Sequence, residues 1–148
     1  MKLIVVGYGR VGSRTARVLS EEGYEVVVVD NDPLKAERAR EQGLTVVEGD
    51  GTDEAILVEA GIESADALGG ITGDVADNHE ICLLGNEYGC RTVMRISEDV
   101  STDVYETYVD DCDEVIYPQR LGAAGAKTAL LGGSLNAIGD LTEQLQLT

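Results

Sequence analysis

The chain has 148 residues, 43% of them hydrophobic, which fits one domain with a real core. Its formal net charge is −17, from 28 acidic and 11 basic residues. A field of this sign repels nucleic acid phosphates and anionic membranes, so neither is an expected partner. No apolar run approaches the ~18 residues that span a bilayer, and the N-terminus lacks signal-peptide features. The sequence therefore predicts a cytoplasmic protein.

The acidic residues are scattered along the chain and do not form a tail. At ordinary ionic strength their mutual repulsion destabilises the fold, whereas at about 1 M salt the Debye length is only ~3 Å. We therefore interpret the composition as halophilic, an adaptation to a high-salt cytoplasm. The three cysteines, Cys82, Cys90 and Cys112, form no CxxC pair and are expected to be reduced, buried thiols.

Apolar, β-branched segments alternate with helical patterns along most of the chain. The predicted elements are, in order, a strand at 3–6, a helix at 11–22, a strand at 25–30, a helix from Pro33 to before Gly43, a strand at 44–48, a helix at about 53–60, a strand at 65–72, a helix at 75–88, a strand at 91–96, a helix at 101–109, a strand at 113–117 and a helix from near Gln119. Asp32 and Ser101 are the predicted N-caps, and Gly23 and Gly61 follow helix ends. This alternation predicts an α/β fold, a Rossmann-like doubly wound parallel six-stranded sheet of order 3-2-1-4-5-6.

The segment GYGRVG (7–12) follows the first strand and opens a helix, which is the context of a dinucleotide fingerprint. Gly7 permits the tight turn, Gly9 lets the backbone reach phosphates, and Gly12 lets the helix pack on the strand. The helix N-terminus offers N–H groups and a positive dipole end to an anion. Asp30 ends the second strand, where a carboxylate accepts hydrogen bonds from a ribose diol. The sequence therefore predicts nucleotide binding; the alternative is that the glycines serve packing alone.

The residues after Asp30 bear on the choice of nucleotide. Asn31 and Asp32 follow it with no arginine beside them, so a 2′-phosphate would meet two carboxylates and NADP is disfavoured. The expected ligand is NAD or NADH, alternatively ADP or ATP.

Arg10 stands in the first helical turn, where a cation opposes the helix dipole at a cost of about 0.3–1 kcal/mol. An anion between arginine and helix explains this placement: the terminal phosphates of ADP or ATP, or further pyrophosphate contacts. The alternative is a solvated arginine paired with a surface acid. Arg14 and Arg17 continue the same face, and Arg17 is expected to pair with Glu21 one turn later.

Several segments resemble the N-terminal nucleotide-binding domain of potassium-transport regulators, namely the Trk/Ktr regulatory subunits and the RCK domains that gate potassium channels. They are GYGRVG, VVVVDNDP, VVEGDGTDEAILVEAGIESADAL, ITGDVADN, RISEDV and DEVIYPQRL, spread over residues 1–130. The block GDGTD at 49–53 and the segment YPQRL at 117–121 are more specific than the glycine loop. The resemblance implies a ligand-gated switch that is not an enzyme. It also implies a homodimer or ring, with a peripheral location through a membrane potassium transporter or channel subunit.

The resemblance also implies roles for further residues at the carboxyl ends of the strands. Asp50 and Thr52 would lie by the adenine, and Arg95 would face the cleft. The full expected set is Gly7, Tyr8, Gly9, Arg10, Val11, Gly12, Asp30, Asn31, Asp50, Gly51, Thr52, Thr72, Gly73, Asp74, Asn78 and Arg95. Alternatives stay open: Asp50 and Thr52 as turn and cap residues, Asn78 as a solvated helix residue, and Arg95 as a partner of Glu98 or Asp99.

Two features depart from the family pattern. Gly69 and Gly70 stand where bulky residues are usual, and there is no room for the second ligand-binding domain of many members. The chain is therefore interpreted either as a stand-alone subunit or as a fragment. We expect residues 1–131 to form the nucleotide-binding domain and 132–148 a tail. The predicted tail helix, capped by Ser134, carries an apolar stripe that packs on its own domain or on a second subunit.

An NAD-dependent oxidoreductase is the rival class, and it needs a proton donor near the nicotinamide. The only histidine is His79, early in a helix, and no tyrosine has a lysine four residues on. His and Cys form no metal-binding cluster. A cofactor-redox sensor acting on transcription would need a DNA-reading element, which this acidic chain does not offer.

Overall fold

The fold is built on a parallel sheet of six strands. The computed structural model describes residues 1–97 and 106–133. Its strands are β1 (Lys2–Val6), β2 (Glu25–Asp30), β3 (Thr45–Glu48), β4 (Ala67–Gly70), β5 (Arg91–Arg95) and β6 (Glu114–Ile116). Their order is β3-β2-β1-β4-β5-β6. The predicted Rossmann-like topology is confirmed.

Helices follow most of the strands. They are α1 (Arg10–Glu21), α2 (Pro33–Glu41), α3 (Glu54–Ala60), α4 (Val75–Glu87) and α5 (Pro118–Leu130), with 3₁₀ turns at Ile62–Ser64 and Val109–Asp111. The chain divides into two compact units, Met1–Ile116 and a second that begins at Tyr117 and contains α5. Most of the helix predicted at 101–109 and the whole tail helix lie outside the described residues.

Local signals in the sequence set the helix ends. The Asp32 carboxylate accepts a hydrogen bond from the Leu34 N–H at 2.9 Å, and Pro33 occupies the first turn of α2, as predicted. Gly61 ends α3 with a φ of 93°, in the left-handed region that favours glycine. The predicted pair of Arg17 with Glu21 is absent from the ion pairs of the described residues.

The core lies on both faces of the sheet because side chains alternate along the central strands. Ile4 and Val6 face a cluster that includes Leu57 of α3 and Ile81 of α4. On the opposite face, Val5 packs in a cluster that includes Ala16 of α1 and Ala39 of α2. Strands covered on both sides read as continuous apolar runs, which is why β1 and β2 were clear in the sequence.

The fourth strand is shorter than the predicted 65–72. β4 pairs with β1 only from Leu3↔Ala67 to Val6↔Gly70. Gly70 also has a packing role, because a Cβ at this position would come within 2.9 Å of the Asn78 carbonyl oxygen. A bulky residue here would push α4 away from the sheet.

Candidate nucleotide-binding site

A cavity of about 330 Å³ lies at the carboxyl ends of the strands. This is the edge where open α/β sheets bind ligands. The predicted site residues that line it are Gly7, Tyr8, Gly9, Asp30, Asn31, Asp50, Gly51, Thr52, Thr72, Gly73, Asp74 and Arg95. The fold therefore brings together residues from the ends of five strands.

The glycine loop forms the floor of the cavity. Gly7 has a φ of 106° and donates a hydrogen bond to the Val29 carbonyl at 2.8 Å, which fixes the turn after β1. A Cβ on Gly12 would lie 1.9 Å from the Gly7 carbonyl oxygen, so only glycine lets α1 pack this closely. Gly12 and Val11 do not line the cavity, and Gly12 acts through packing.

The first turn of α1 is open to an anion. Its N-cap is Gly9, which offers no side-chain hydrogen bond, and the turn contains no acidic residue. A Cβ on Gly9 would meet nothing within 4 Å. The positive end of the helix, which begins at the cavity-lining Gly9, therefore has neither a capping side chain nor an acidic residue of its own first turn to neutralise it.

Asp30 is a buried carboxylate at the end of β2, with 8% of its surface exposed. One oxygen accepts the Tyr8 N–H and the other accepts the Asp32 N–H, each at 2.8 Å. An ionised carboxylate has about four acceptor positions, so lone pairs remain for a ligand. The bond from Tyr8 holds Asp30 against the glycine loop, where a ribose diol could donate to it.

Asp50 and Thr52 shape the turn after β3 and also line the cavity. The Asp50 Oδ1 atom accepts the Thr52 N–H at 2.9 Å and the Thr52 hydroxyl at 2.8 Å. Between them, Gly51 is buried, and a Cβ there would lie 2.4 Å from the Val6 side chain. The structure therefore shows Asp50 and Thr52 as turn residues, and this turn places both of them at the wall of the cavity.

Asn78 holds the loop after β4 from behind. It is fully buried and does not line the cavity, so the solvated alternative is wrong. Its Oδ1 atom accepts the Thr72 N–H at 2.9 Å and the Thr72 hydroxyl at 2.6 Å. Its Nδ2 group donates to the carbonyls of Thr72 and Arg95, both at 3.0 Å. All its hydrogen-bonding groups are used to position neighbours of the cavity.

Arg95, the last residue of β5, lines the cavity. Its Nε atom is buried without a hydrogen-bond partner among the described residues. The alternative partners Glu98 and Asp99 lie outside the described residues. Arg10 does not line the cavity and instead borders an open depression beside it, together with Tyr8, Gly9 and Arg95.

Sequence reasoning missed two charged residues of the cavity, Lys35 on α2 and Asp77 on α4. Partial desolvation, followed by repulsion from Asp74 and Asp50, raises the pKa of Asp77 above its ordinary value of 3.8. Both residues lie within the first turn of a helix that starts at a cap, Asp32 or Asp74. A place in the first turn of a capped helix was therefore the sequence signal for both residues, because the first turns of α2 and α4 follow the carboxyl ends of strands.

His79 lies away from the cavity. Its Nε2 atom is 2.7 Å from an Asp111 carboxylate oxygen, and its ring stacks at 4.3 Å from the Tyr108 ring. Across residues 1–97 and 106–133, no group of three or more His, Cys, Asp or Glu side chains is placed to hold a metal ion. The three cysteines are free thiols, with Cys82 and Cys90 buried and Cys112 partly exposed.

Comparison with known proteins identifies the family. The sequence profile of the TrkA-N domain matches residues 3–118. The chain belongs to the TrkA-N domain family. This TrkA-N chain is 35% identical over 133 residues to a "Trk system potassium uptake protein TrkA homolog" of Pyrococcus abyssi, covering 83% of this chain and 57% of that protein. It thus spans little more than half the length of that relative.

Solved structures share the fold at lower identity. One is the AMP-bound Kef C-terminal domain of Shewanella denitrificans, with a TM-score of 0.69, 22% identity and coverage of 99% of this chain and 93% of that one. Another is the GsuK channel bound to NAD, with a TM-score of 0.62, 23% identity and coverage of 78% and 21%. No helix within the described part of the TrkA-N chain has both the length and the apolar character needed to cross a membrane.

Proposed function

We propose that this TrkA-N chain is a nucleotide-sensing regulatory domain that controls a potassium uptake transporter or channel, and that it is not an enzyme. The observation that carries the proposal is the pairing, in one cavity, of an uncapped helix N-terminus with the buried carboxylate Asp30. This pairing suits an adenosine diphosphate group, with phosphates on α1 and ribose hydroxyls on Asp30.

The proposed ligand is NAD or NADH, or else ADP or ATP, since all four contain adenosine diphosphate. Asp50 and Thr52 would border the adenine, and Thr72 to Asp74 would border the other end of the ligand. NADP is disfavoured because its 2′-phosphate would meet the carboxylates of Asp30 and Asp32. The names of the Kef and GsuK structures, which bind AMP and NAD, support the choice of an adenine nucleotide.

Control of transport requires that the nucleotide favours one of two states of the domain. A ligand shifts such an equilibrium only by its differential affinity for the two states. We propose that the domain acts in a homodimer or higher ring, with residues 132–148 as a contact, and that it reaches the membrane through a transporter partner. The name of the Pyrococcus abyssi relative, a potassium uptake protein, supports this partner.

The enzymatic alternative receives no support from the described geometry. A dehydrogenase needs a proton donor beside the nicotinamide, and His79 lies outside the cavity against Asp111. The same cavity would suit a cofactor-redox sensor, which would respond to NADH and NAD differently. Titration with both forms distinguishes that possibility from an adenosine sensor, which would bind both alike.

Calorimetric titration with NAD, NADH, ADP and ATP, in high KCl, tests the proposal. We expect Asp30→Ala to weaken all four ligands at least tenfold, because it removes a charged hydrogen-bond acceptor from the ribose. Asp53→Asn is the matched control, since Asp53 caps α3 and does not line the cavity. If Asp30→Ala folds and binds all four ligands like the wild type, the site assignment is wrong.

A further inference from the structure

Two cysteines from different parts of the chain meet beside β5. Cys82 lies on α4, Cys112 lies just before β6, and their thiols hydrogen-bond to each other. The Cys82 Sγ atom is 3.4 Å from the Val93 carbonyl oxygen, and the Cys112 Sγ atom is 3.5 Å from the Met94 Sδ atom. Two consecutive residues of β5 therefore hold both thiols at one place. We call Cys82 and Cys112 the thiol pair.

The two members of the thiol pair differ in accessibility and in acidity. Cys82 is fully buried, whereas Cys112 is partly exposed. The hydrogen bond with Cys82 lowers the pKa of the Cys112 thiol, although burial and the charges of Asp111 and Asp113 act against it. The same hydrogen bond, together with burial, raises the pKa of Cys82. Because the thiolate is the reactive form of cysteine, Cys112 is the member that an oxidant in solution reaches and attacks more readily.

Cys90 is a third thiol with a different environment. It is buried, and its Sγ atom is 3.5 Å from the Ala65 carbonyl oxygen and 3.8 Å from that of Ile62. Within the part of the chain that the structure describes, no second cysteine is among its hydrogen-bond partners. Burial, followed by the charge of Asp66, raises the pKa of Cys90. The chain therefore contains its own control for the reactivity of the thiol pair.

We propose that the thiol pair is a redox site, at which a peroxide forms a reversible disulfide within the chain. The Cys112 sulfur attacks hydrogen peroxide and the O–O bond breaks, which gives a sulfenic acid on Cys112 and one water molecule. The Cys82 sulfur then attacks the Cys112 sulfur, and the S–O bond breaks. The departing hydroxide takes the Cys82 proton and leaves as a second water molecule. The two sulfur atoms lose two electrons in total, and the peroxide gains them.

The disulfide would link α4 covalently to the segment before β6. Thiols that already share a hydrogen bond need only a small displacement to reach bonding distance. The linked helix is the one that carries Asn78, one turn before Cys82, and Asn78 holds the loop after β4 at the nucleotide cavity. The inference does not depend on nucleotide binding, because its chemistry involves the two thiols alone.

Oxidation of the reduced whole chain by hydrogen peroxide, in high KCl, tests the proposal. We expect the free thiols to fall from three to one, with a loss of mass equal to two hydrogen atoms. A protease that cuts after glutamate locates the bond, because Glu87 lies between Cys82 and Cys90. The peptides that contain Cys82 and Cys112 should be joined, and dithiothreitol should separate them.

Replacement of each cysteine by serine has a different expected result. Cys82→Ser leaves Cys112 without a second thiol, so a 1,3-diketone should trap its sulfenic acid. Cys112→Ser should form no disulfide, and its remaining thiols should react with peroxide at least about tenfold more slowly than Cys112 does in the wild type. Cys90→Ser is the matched control and should form the disulfide at the wild-type rate. Thermal melts of the reduced variants check that each is folded.

Several outcomes would overturn the inference. One is a folded wild type that keeps all three thiols under conditions in which peroxide oxidises free cysteine. Others are a disulfide that contains Cys90 or joins two chains, and a disulfide that still forms in Cys82→Ser or in Cys112→Ser.

Discussion

Gly9 and Gly12 belong to one loop but meet different physical requirements. A Cβ on Gly12 would lie 1.9 Å from the Gly7 backbone oxygen, whereas one on Gly9 would meet nothing within 4 Å. We expect Gly12→Ala to lower the free energy of unfolding by about 3 kcal/mol, since backbone has to move to admit the methyl group. Urea titration in high KCl measures this change.

Gly9→Ala is the matched control for that substitution. Its φ of −81° is open to alanine, so only the poorer N-cap preference of alanine counts, and the loss of stability should be about 1 kcal/mol or less. Nucleotide affinity should nevertheless fall, because the methyl group lies where phosphates approach the backbone. Equal stability of the two variants would contradict the packing role assigned to Gly12.

Asp77 is a carboxylate that opposes an anionic ligand. Its pKa is raised, so the folded chain takes up its proton more readily than the unfolded chain. The free energy of unfolding therefore falls as pH rises from the ordinary value of 3.8 through the raised value. We expect Asp77→Asn to be the more stable protein above that window and equal to the wild type below it.

Nucleotide binding offers a second measurement on Asp77. Removing this charge should strengthen ADP binding by about twofold to fivefold at 0.1 M salt, and the gain should shrink in concentrated KCl because salt screens exposed charges. Glu80→Gln is the control, as Glu80 is on the same helix but does not line the cavity. An equal gain in both variants would mean that the effect comes from net charge alone.

At the scale of elements, α4 is tied to the ends of two strands through Asn78. This side chain makes four hydrogen bonds, to the Thr72 backbone and hydroxyl after β4 and to the Arg95 carbonyl at the end of β5. Asn78→Ala leaves buried polar groups without partners, which should cost about 2–3 kcal/mol. Chemical denaturation measures the loss.

Asn86→Ala provides the comparison on the same helix. Asn86 is exposed, and its amide bonds the Asp111 carbonyl at 2.6 Å and the Thr92 hydroxyl at 3.1 Å. Water can replace these bonds in part, so a smaller loss of about 1 kcal/mol is expected. A loss as large as that of Asn78→Ala would refute the claim that burial makes Asn78 special.

The types and order of the helices and strands were predictable, because most of them show both a hydrophobic periodicity and a residue that marks where they begin or end. The run EVVVVD gave β2 its observed bounds, Glu25–Asp30, since a strand covered on both faces is apolar throughout. The strand predicted at 65–72 was longer than the observed β4, because the length of a strand depends on the strand with which it pairs. The end of β1 at Val6 was predicted, but local pattern does not reveal that Val6 pairs with Gly70 and that the pairing therefore stops there.

The site was predictable where it follows the ends of strands, as with Asp30 and Thr72. It was less so where helices contribute, because the direction of a side chain depends on how the helix packs. Lys35 and Asp77 enter the cavity from α2 and α4 and were missed. Asn78 was expected at the ligand, yet its buried position behind the loop depends on the close approach of α4 to Gly70.

At the scale of the whole molecule, negative and positive charges are distributed differently. The net charge of −17 is spread over the chain, whereas five cations border the open depression beside the cavity: Arg10, Arg17, Lys35, Arg38 and Arg95. In dilute salt the global field repels an anionic nucleotide while the local one attracts it. Because concentrated salt screens the distant charges more than groups in contact, high KCl should leave recognition to the adjacent cations.

The same net charge leads to a prediction about stability. We expect the melting temperature to rise by roughly 10 °C between 0.1 M and 3 M KCl, as repulsion among acidic side chains is screened. The variant Glu21→Gln/Glu22→Gln/Glu25→Gln removes three exposed charges near the end of α1 and the start of β2. Its melting temperature should be higher than that of the wild type in 0.1 M KCl and nearly equal in 3 M, because screening and neutralisation remove the same repulsion. A wild-type protein that melts at one temperature in both salts would show that its acidity is not an adaptation to high salt.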